Sequence, residues 1–569
     1  MIRNDENQTA MVEPADGRGD VATLVRDENP ERKVRSHLTK ENGAYCLADF
    51  TAIEPLVNRW AVWSDLISPI PYSLHMVHYQ MKVLDSYLSD PEMHVEVCGD
   101  PKFSGGPFVN VPAARAGEVA RLLEEMKTGQ ADNIRLAHAV PEFSNYINRE
   151  AKGQSLDPFY AEIPETLRGF VELLYDYYSN PTVRYLESML YESDYYKKEL
   201  QSLRIFEQTT DNSRLPFLST PRLPESTQIE WNVSFAAPEL DELFKLEATP
   251  QPLGRIRELL GMMPGAEQLL PLLTEDIPAR APKWEGEGVR VRYFGHACVL
   301  VEWNGTSILT DPWVGLRPKA GGVERYSYQD LPEKIDFALV THAHHDHFVP
   351  ETLLRLRHKI ECLIVPQTFG LLYADTSLKL MARKMGFKNV VELGTLESVA
   401  FPGGEVVAIP FFGEHADLAH GKAGYVVRAG REQILFAADS NCLDSRMYEH
   451  VKGSLGKIET VFLGMECVGA PLSWMYGTFL PQKIERSHDQ SRRTKGCDST
   501  RAFDLLESVG GQRVFIYAMG QEPWLQYSMG LGLAEDSRQV REANQVLAQA
   551  SGKGIMQALR PSVKFETIL

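Results

Sequence analysis

Residues 336–347 read DFALVTHAHHDH, an apolar run of strand character that leads straight into four histidines and an aspartate within six positions. Loops at strand ends are where a rigid sheet can hold side chains convergently. Imidazole together with carboxylate suits two neighbouring divalent metals. A lone buried histidine is usually satisfied packing, but packing does not explain this density of donors in one loop. The segment is therefore read as a dinuclear metal site, with His342, His344, Asp346 and His347 as donors and His345 as a spacer.

The surrounding sequence supplies a scaffold for such a loop. Beyond about residue 285, VRVRYFGHACVLVEW, TSILTDPW, DFALV, ECLIVPQ, VVAIPFF, GYVVRAG, QILFAADS, TVFLGMEC and VFIYAM read as strands. ETLLRLRHKI, TSLKLMARKMGF and STRAFDLLESV carry helical spacing. The expectation is an α/β catalytic domain over 286–569, with sheets inside and helices outside. Residues 1–40 are polar and acidic with isolated apolar positions, a composition that predicts a loose tail. Residues 41–285 are expected to form a separate α+β domain. Within it, Phe170, Leu173, Leu174, Tyr177 and Tyr178, then Tyr185, Leu186, Met189 and Leu190, predict a helical pair separated by Pro181, its aromatic stripe serving core or subunit packing. Prolines 250, 252, 264, 271, 278 and 282 mark a connector.

Composition excludes several partners. A net charge of −18 lacks the basic face that nucleic acid requires. No run of about 18 uncharged apolar residues offers a membrane span, and the first residues lack the apolar stretch of an export signal, so a soluble cytoplasmic protein is expected. The seven cysteines are odd in number and scattered without a C-x-x-C pair, which predicts reduced thiols.

The spacing His342-x-His344-x-Asp346-His347 resembles the signature of the metallo-β-lactamase superfamily. Gly295-His296-Ala297-Cys298 and Thr310-Asp311-Pro312 are similar to that family's opening strands. The resemblance implies an αββα sandwich, the first two histidines on one metal, the Asp-His pair on the other, and Asp439 of FAADS as the bridging carboxylate. Departures are informative. Where the family carries its next histidine, PFFGEHADL places Glu414 beside His415, and adjacent side chains point in different directions, so one of the two ligates. The late histidine of the hydrolases is missing, since none occurs over 489–569. Glu466, at the end of an apolar strand, is the first substitute, with His488 and Glu522 behind it. A set rich in carboxylates favours iron or manganese over zinc and points to oxygen activation.

A narrower resemblance covers nearly the whole chain after the tail. YSLHMVHYQ and a GGPF turn, joined to THAHHDHFVP, FFGEHADL and FAADSN, are similar to the di-iron β-hydroxylases of chloramphenicol and other non-ribosomal peptide pathways. That resemblance implies two iron ions, O2 as co-substrate and an external electron donor served by an electron-transfer partner. It also implies an amino-acid substrate held as a thioester on a peptidyl carrier domain of a non-ribosomal peptide synthetase, and a homodimer whose N-terminal domain covers the site. It puts His342, His344 and Glu414 on one iron, Asp346, His347 and Glu466 on the other, and Asp439 between them, with Glu414 and Asp439 acting in catalysis. The rival reading is a dinuclear zinc hydrolase, a lactonase or phosphodiesterase, with His415 as ligand and His488 as the displaced histidine.

Overall fold

The β-branched runs of the C-terminal half pair into two seven-stranded sheets in a computed structural model. It describes residues 43–569 apart from 262–266, 280, 369, 371–372, 374, 414, 416–420, 531–533 and 562. The expected polar tail and Glu414 lie outside the described residues.

In spatial order, the first sheet runs Val390–Leu393, Ile360–Pro366, Ile335–Leu339, Thr306–Thr310, Cys298–Trp303, Arg290–Gly295 and Glu566–Ile568. The second runs Ser398–Phe401, Gly404–Ile409, Gly424–Ala429, Glu432–Phe436, Thr460–Gly464, Arg513–Tyr517 and Gln557–Leu559. Each sheet is part antiparallel and part parallel. Parallel strands covered on both faces must be apolar throughout, which is why ECLIVP and TVFLG show no alternation. The sheets face each other across a core of Val291, Val299, Val301, Tyr425, Val427 and Phe436. Phe462 stacks between Phe436 and Phe515, with centroids 5.0 and 4.7 Å away. Helices Ser445–Leu455, Ser499–Val509 and Arg538–Gln549 cover the outer face of the second sheet, which completes the expected αββα arrangement.

Before residue 290 the chain folds around an antiparallel sheet of Trp60–Ala61, Thr51–Val57, Gln201–Glu207 and Ile229–Asn232, in that order. Helices Pro69–His75 and Met81–Ser89 flank a π-helical turn at Met76–Gln80, and Ala116–Gly129 and Ala131–Glu150 pack beside them. The expected helical pair is corrected here. Val171–Tyr175 and Pro181–Tyr185 form an antiparallel hairpin, followed only by the short helix Glu187–Leu190. Pro181 has no N–H and opens its strand, where none is needed. Asp176 closes the loop by accepting from the backbone N–H of Tyr178 and Asn180, both at 2.8 Å. Tyr177 and Tyr178, counted in the packing stripe, stand exposed at the hairpin tip.

The N-terminal region and the first sheet share one apolar core, in which Leu66 and Ile70 belong with Leu353 and Met381. Polar ties cross the same boundary. Ser64 Oγ donates to the carbonyl of Ala343 inside the histidine loop at 2.6 Å, and Arg355 donates to the carbonyl of Thr51. Fully buried Glu54 is ringed by Arg222, Arg214 and Arg204 at 3.0, 3.1 and 3.2 Å. Arg214 also pairs with Glu351 at 2.7 Å, on the helix Pro350–Leu356 that follows the histidine loop. All seven cysteines are free thiols, and among the described residues no helix is long and apolar enough to cross a membrane.

Candidate metal centre

The strand Ile335–Leu339 ends three residues before His342, and the loop then turns on itself: the N–H groups of His347 and Phe348 both donate to the carbonyl of His344. Asp311, just past the neighbouring strand, holds this turn. It accepts from Thr341 N at 2.7 Å, Thr341 Oγ1 at 2.8 Å and His347 Nδ1 at 2.8 Å, and it is fully buried. These bonds fix the ring so that His347 Nε2 points to Asp439, whose Oδ2 lies 3.0 Å away. Anchoring one imidazole nitrogen so that the other faces a cation is the common outer-shell device of metal sites. His415 repeats it, with Nδ1 donating to the carbonyl of Thr494 at 2.9 Å and Nε2 lying 3.0 Å from the same Asp439 oxygen.

Three overlapping donor groups result, each with its ligand atoms within 4.8 Å of one another: His342, His344 and His415; His342, His347 and Asp439; and His296, Asp346 and His347. Asp439 is central, with His342 Nε2 at 3.9 Å as well. At the far side His296 Nε2 lies 3.1 Å from Asp346 Oδ2. The residues fit a pair of cations: His342 Nε2 is buried yet makes no hydrogen bond, a costly state that a bound ion relieves.

Protonation divides the imidazoles: against burial, Asp311, Asp346 and Asp439 hold His347, and Asp439 holds His415, above the usual imidazole range, so a bound ion would displace a proton from each. Burial, reinforced by the neighbouring histidines, drives His342 and His344 well below the usual imidazole range, so both are neutral donors. Burial alone would protonate Asp346 and Asp439. His347 opposes it at Asp346, and His415 and His347 oppose it at Asp439, so both carboxylates stay well below their ordinary range and charged. The backbone is strained at the same places. His296, Asp311, Ala438 and Ala518 have φ of 48°, 33°, 46° and 52°, each just past the end of a strand. Left-handed non-glycine residues persist where surrounding structure over-determines them, commonly at functional sites.

Of the donors read from sequence, His342, His344, Asp346, His347 and Asp439 converge. Glu466 lies outside the donor groups found among the described residues. Its Oε1 accepts from the N–H groups of Val468 and Gly469 at 3.2 and 2.8 Å, and Gln539 Nε2 lies 3.0 and 3.2 Å from its two oxygens. Two residues past its strand, the acid closes its own turn. His488 is exposed on a short helix. Glu522 is buried but accepts from His296 N at 2.7 Å and from the Tyr293 hydroxyl, and so holds the turn carrying His296. His296 itself was read only as part of a strand signature, although a histidine in a turn closing a strand is the same signal that marked 342–347. Tyr476, whose hydroxyl lies 3.0 Å from His344 Nε2, carried no sequence signal.

Asp311→Asn is expected to weaken metal affinity by roughly 10–100-fold, the scale of losing an outer-shell partner. Competitive chelator titration of the folded variant measures it, and unchanged affinity would refute the anchoring role.

Comparison with known proteins agrees with this geometry. Residues 46–278 match the model of the di-iron non-haem β-hydroxylase N-terminal domain, and 290–428 match a β-lactamase superfamily domain. The chain is 33% identical over 521 residues to the 4-amino-L-phenylalanyl-[CmlP-peptidyl-carrier-protein] 3-hydroxylase of Streptomyces venezuelae, covering 90% of this chain and 97% of that one. The crystal structure of CmlA, a di-iron β-hydroxylase from Streptomyces venezuelae, superposes with a TM-score of 0.85 at 32% identity, covering 93% of this chain and all of the other. A single-residue variant of the CmlA β-hydroxylase gives 0.84 at 32% identity over 92% of this chain. With its N-terminal half and its sandwich matched and a relative 33% identical along nearly its full length, the chain belongs to the di-iron non-haem β-hydroxylase family.

Proposed function

We propose that this protein is an O2-dependent di-iron monooxygenase that hydroxylates the β-carbon of an amino acid tethered as a thioester to a peptidyl carrier domain of a non-ribosomal peptide synthetase. The observation that supports it most is likeness over nearly the full length to a hydroxylase of a carrier-bound amino acid, in a chain whose own donors form the cluster described above.

On this reading His342 and His344 hold one iron together with Glu414 or His415, and Asp346 and His347, with His296 beside them, hold the other. Asp439 lies between. The iron pair supplies O2 activation, with electrons from an external donor protein. The chain's own residues do the rest. Asp311 and the Thr494 carbonyl orient imidazoles, and Asp439 keeps anionic charge between the cations. The N-terminal half keeps water off the loop: His345 is buried, stacked on Phe217 at 5.9 Å and edge-on to Trp63 at 6.1 Å. Sequestering the loop favours orientation of one carbon over side reactions. The proposal includes a cytoplasmic homodimer built through the N-terminal half.

The test is to load carrier protein with candidate amino acids, add reductant and air, and follow intact mass. One added oxygen is expected, from protein containing iron and showing a near-ultraviolet oxo-bridge band. His415 in the cluster, added to the donors that the metallo-β-lactamase pattern already supplies, is the feature that favours a zinc hydrolase. Colourless protein with stoichiometric zinc that only cleaves the thioester would overturn the proposal in favour of that reading.

The pair 414–415 gives a separate expectation. If His415 ligates, His415→Ala loses iron and Glu414→His leaves turnover unchanged; if Glu414 serves the centre, Glu414→His keeps metal and loses O2-dependent turnover. Full iron and full turnover in both variants would show that neither residue serves the centre.

A further inference from the structure

Beside the histidine loop, the N-terminal half and the segment around Trp474 enclose a cavity of about 510 Å³, within the range of roughly 300–1,000 Å³ typical of small-ligand clefts. It adjoins the metal centre through two of its walls. Trp63 sits edge-on to His345 at 6.1 Å, and Trp474 and Met475 immediately precede Tyr476, whose hydroxyl reaches His344 Nε2. The inner wall is aromatic. His75 stacks on Tyr79 at 4.9 Å and meets Trp63 edge-on at 5.3 Å.

The polar features of this cavity are few and specific. Among the described residues no aspartate or glutamate lines it, although the chain as a whole carries a net charge of −18. Lys82 and Lys483 line it, and both are exposed. Deeper, His75 is buried, its Nδ1 makes no hydrogen bond, and burial pushes its imidazole down to about 3, so the ring is neutral. The helix carrying it passes into the π-helical turn Met76–Gln80, which brings His78 and Tyr79 to the lining. Such one-turn π segments occur frequently at functional sites. A ligand matching this wall has an anionic group at one end, neutral hydrogen-bonding groups along its length and an apolar portion next to the loop.

We propose that this cavity receives the phosphopantetheine arm of the carrier domain, with Lys82 and Lys483 meeting its phosphodiester and His75 hydrogen-bonding an amide of its stem. The assignment rests on the hydroxylase reading above and specifies how the substrate enters. The arm would run from the two lysines past Trp63 and Tyr79, delivering the aminoacyl thioester to the His345 side of the loop. The interaction is non-covalent, so no bond is made or broken at this site.

The test uses the full-length, iron-loaded protein and two free probes, 4′-phosphopantetheine and pantetheine, in isothermal titration. The phosphorylated probe is expected to bind about fivefold more tightly, the scale of exposed ion pairs. The double variant Lys82→Glu/Lys483→Glu, confined to surface positions, should erase that preference. His75→Phe should weaken both probes by about tenfold, as expected for one lost hydrogen bond, and His75→Gln, which keeps a donor and an acceptor, should restore part of the loss. Equal binding of the two probes, or a phosphate preference that survives the double lysine change, would overturn the proposal. Probe binding is read without turnover, so the two readings fail separately. Probes that ignore the cavity while hydroxylation proceeds sink only the arm site. Probes that bind as expected while no carrier-loaded amino acid gains oxygen sink only the hydroxylase reading.

Discussion

Replacing Asp439 with alanine is expected to strip iron from the centre and to lower hydroxylation by on the order of 10³-fold or more, as when one member of a unit that acts together is removed. The reason is electrostatic as well as coordinative. One carboxylate oxygen lies 3.0 Å from both His347 Nε2 and His415 Nε2 and 3.9 Å from His342 Nε2. Two cations held by these imidazoles repel each other across a water-poor space, and the anion between them offsets that repulsion. Asp439→Asn keeps the shape and removes the charge, so it separates the two effects: iron should still be lost. Iron assay with intact-mass turnover on the folded variants decides the matter, and full occupancy in Asp439→Asn would reject the electrostatic account.

The second large effect lies away from the metals. Glu54→Gln is expected to lower stability by about 3–5 kcal/mol, the cost of removing one partner from a buried ion pair. Burial works against ionisation of Glu54, but Arg222, Arg204 and Arg214 outweigh it and hold the carboxyl well below its usual range. A depressed folded value means that the stabilisation is fully present above the unfolded value of about 4 and is lost as pH falls below it. Thermal unfolding of wild type and variant should therefore differ most near neutral pH and converge in acid. A gap that is constant with pH would show that the carboxylate charge is not the source.

The metal loop was legible because its donors are consecutive. Their convergence is set by one turn after one strand, and the strand is apolar because both of its faces are covered. Asp439 was legible only through its place in a family order, since nothing local distinguishes an acid after a strand that binds a metal from one that ends a turn. Glu466, likewise just past a strand, bonds back to Val468 and Gly469. His296 stands 46 residues before His342, and it reaches the site only because adjacent strands bring their ends together, with Glu522 fixing the turn. The hairpin at 171–185 was misread because short apolar runs satisfy helical and strand periods alike. The deciding information lay in Pro181 and in the carboxylate of Asp176.

The hydrogen bond from Ser64 to the Ala343 carbonyl, together with the core shared across the two halves, bears on how such enzymes diversify. A recombination breakpoint near residue 285 would exchange not an independent module but one side of the loop that holds the metals. Viable chimeras are expected to need both halves from one parent, or co-inherited changes at Ser64, Glu54, Arg214 and Glu351.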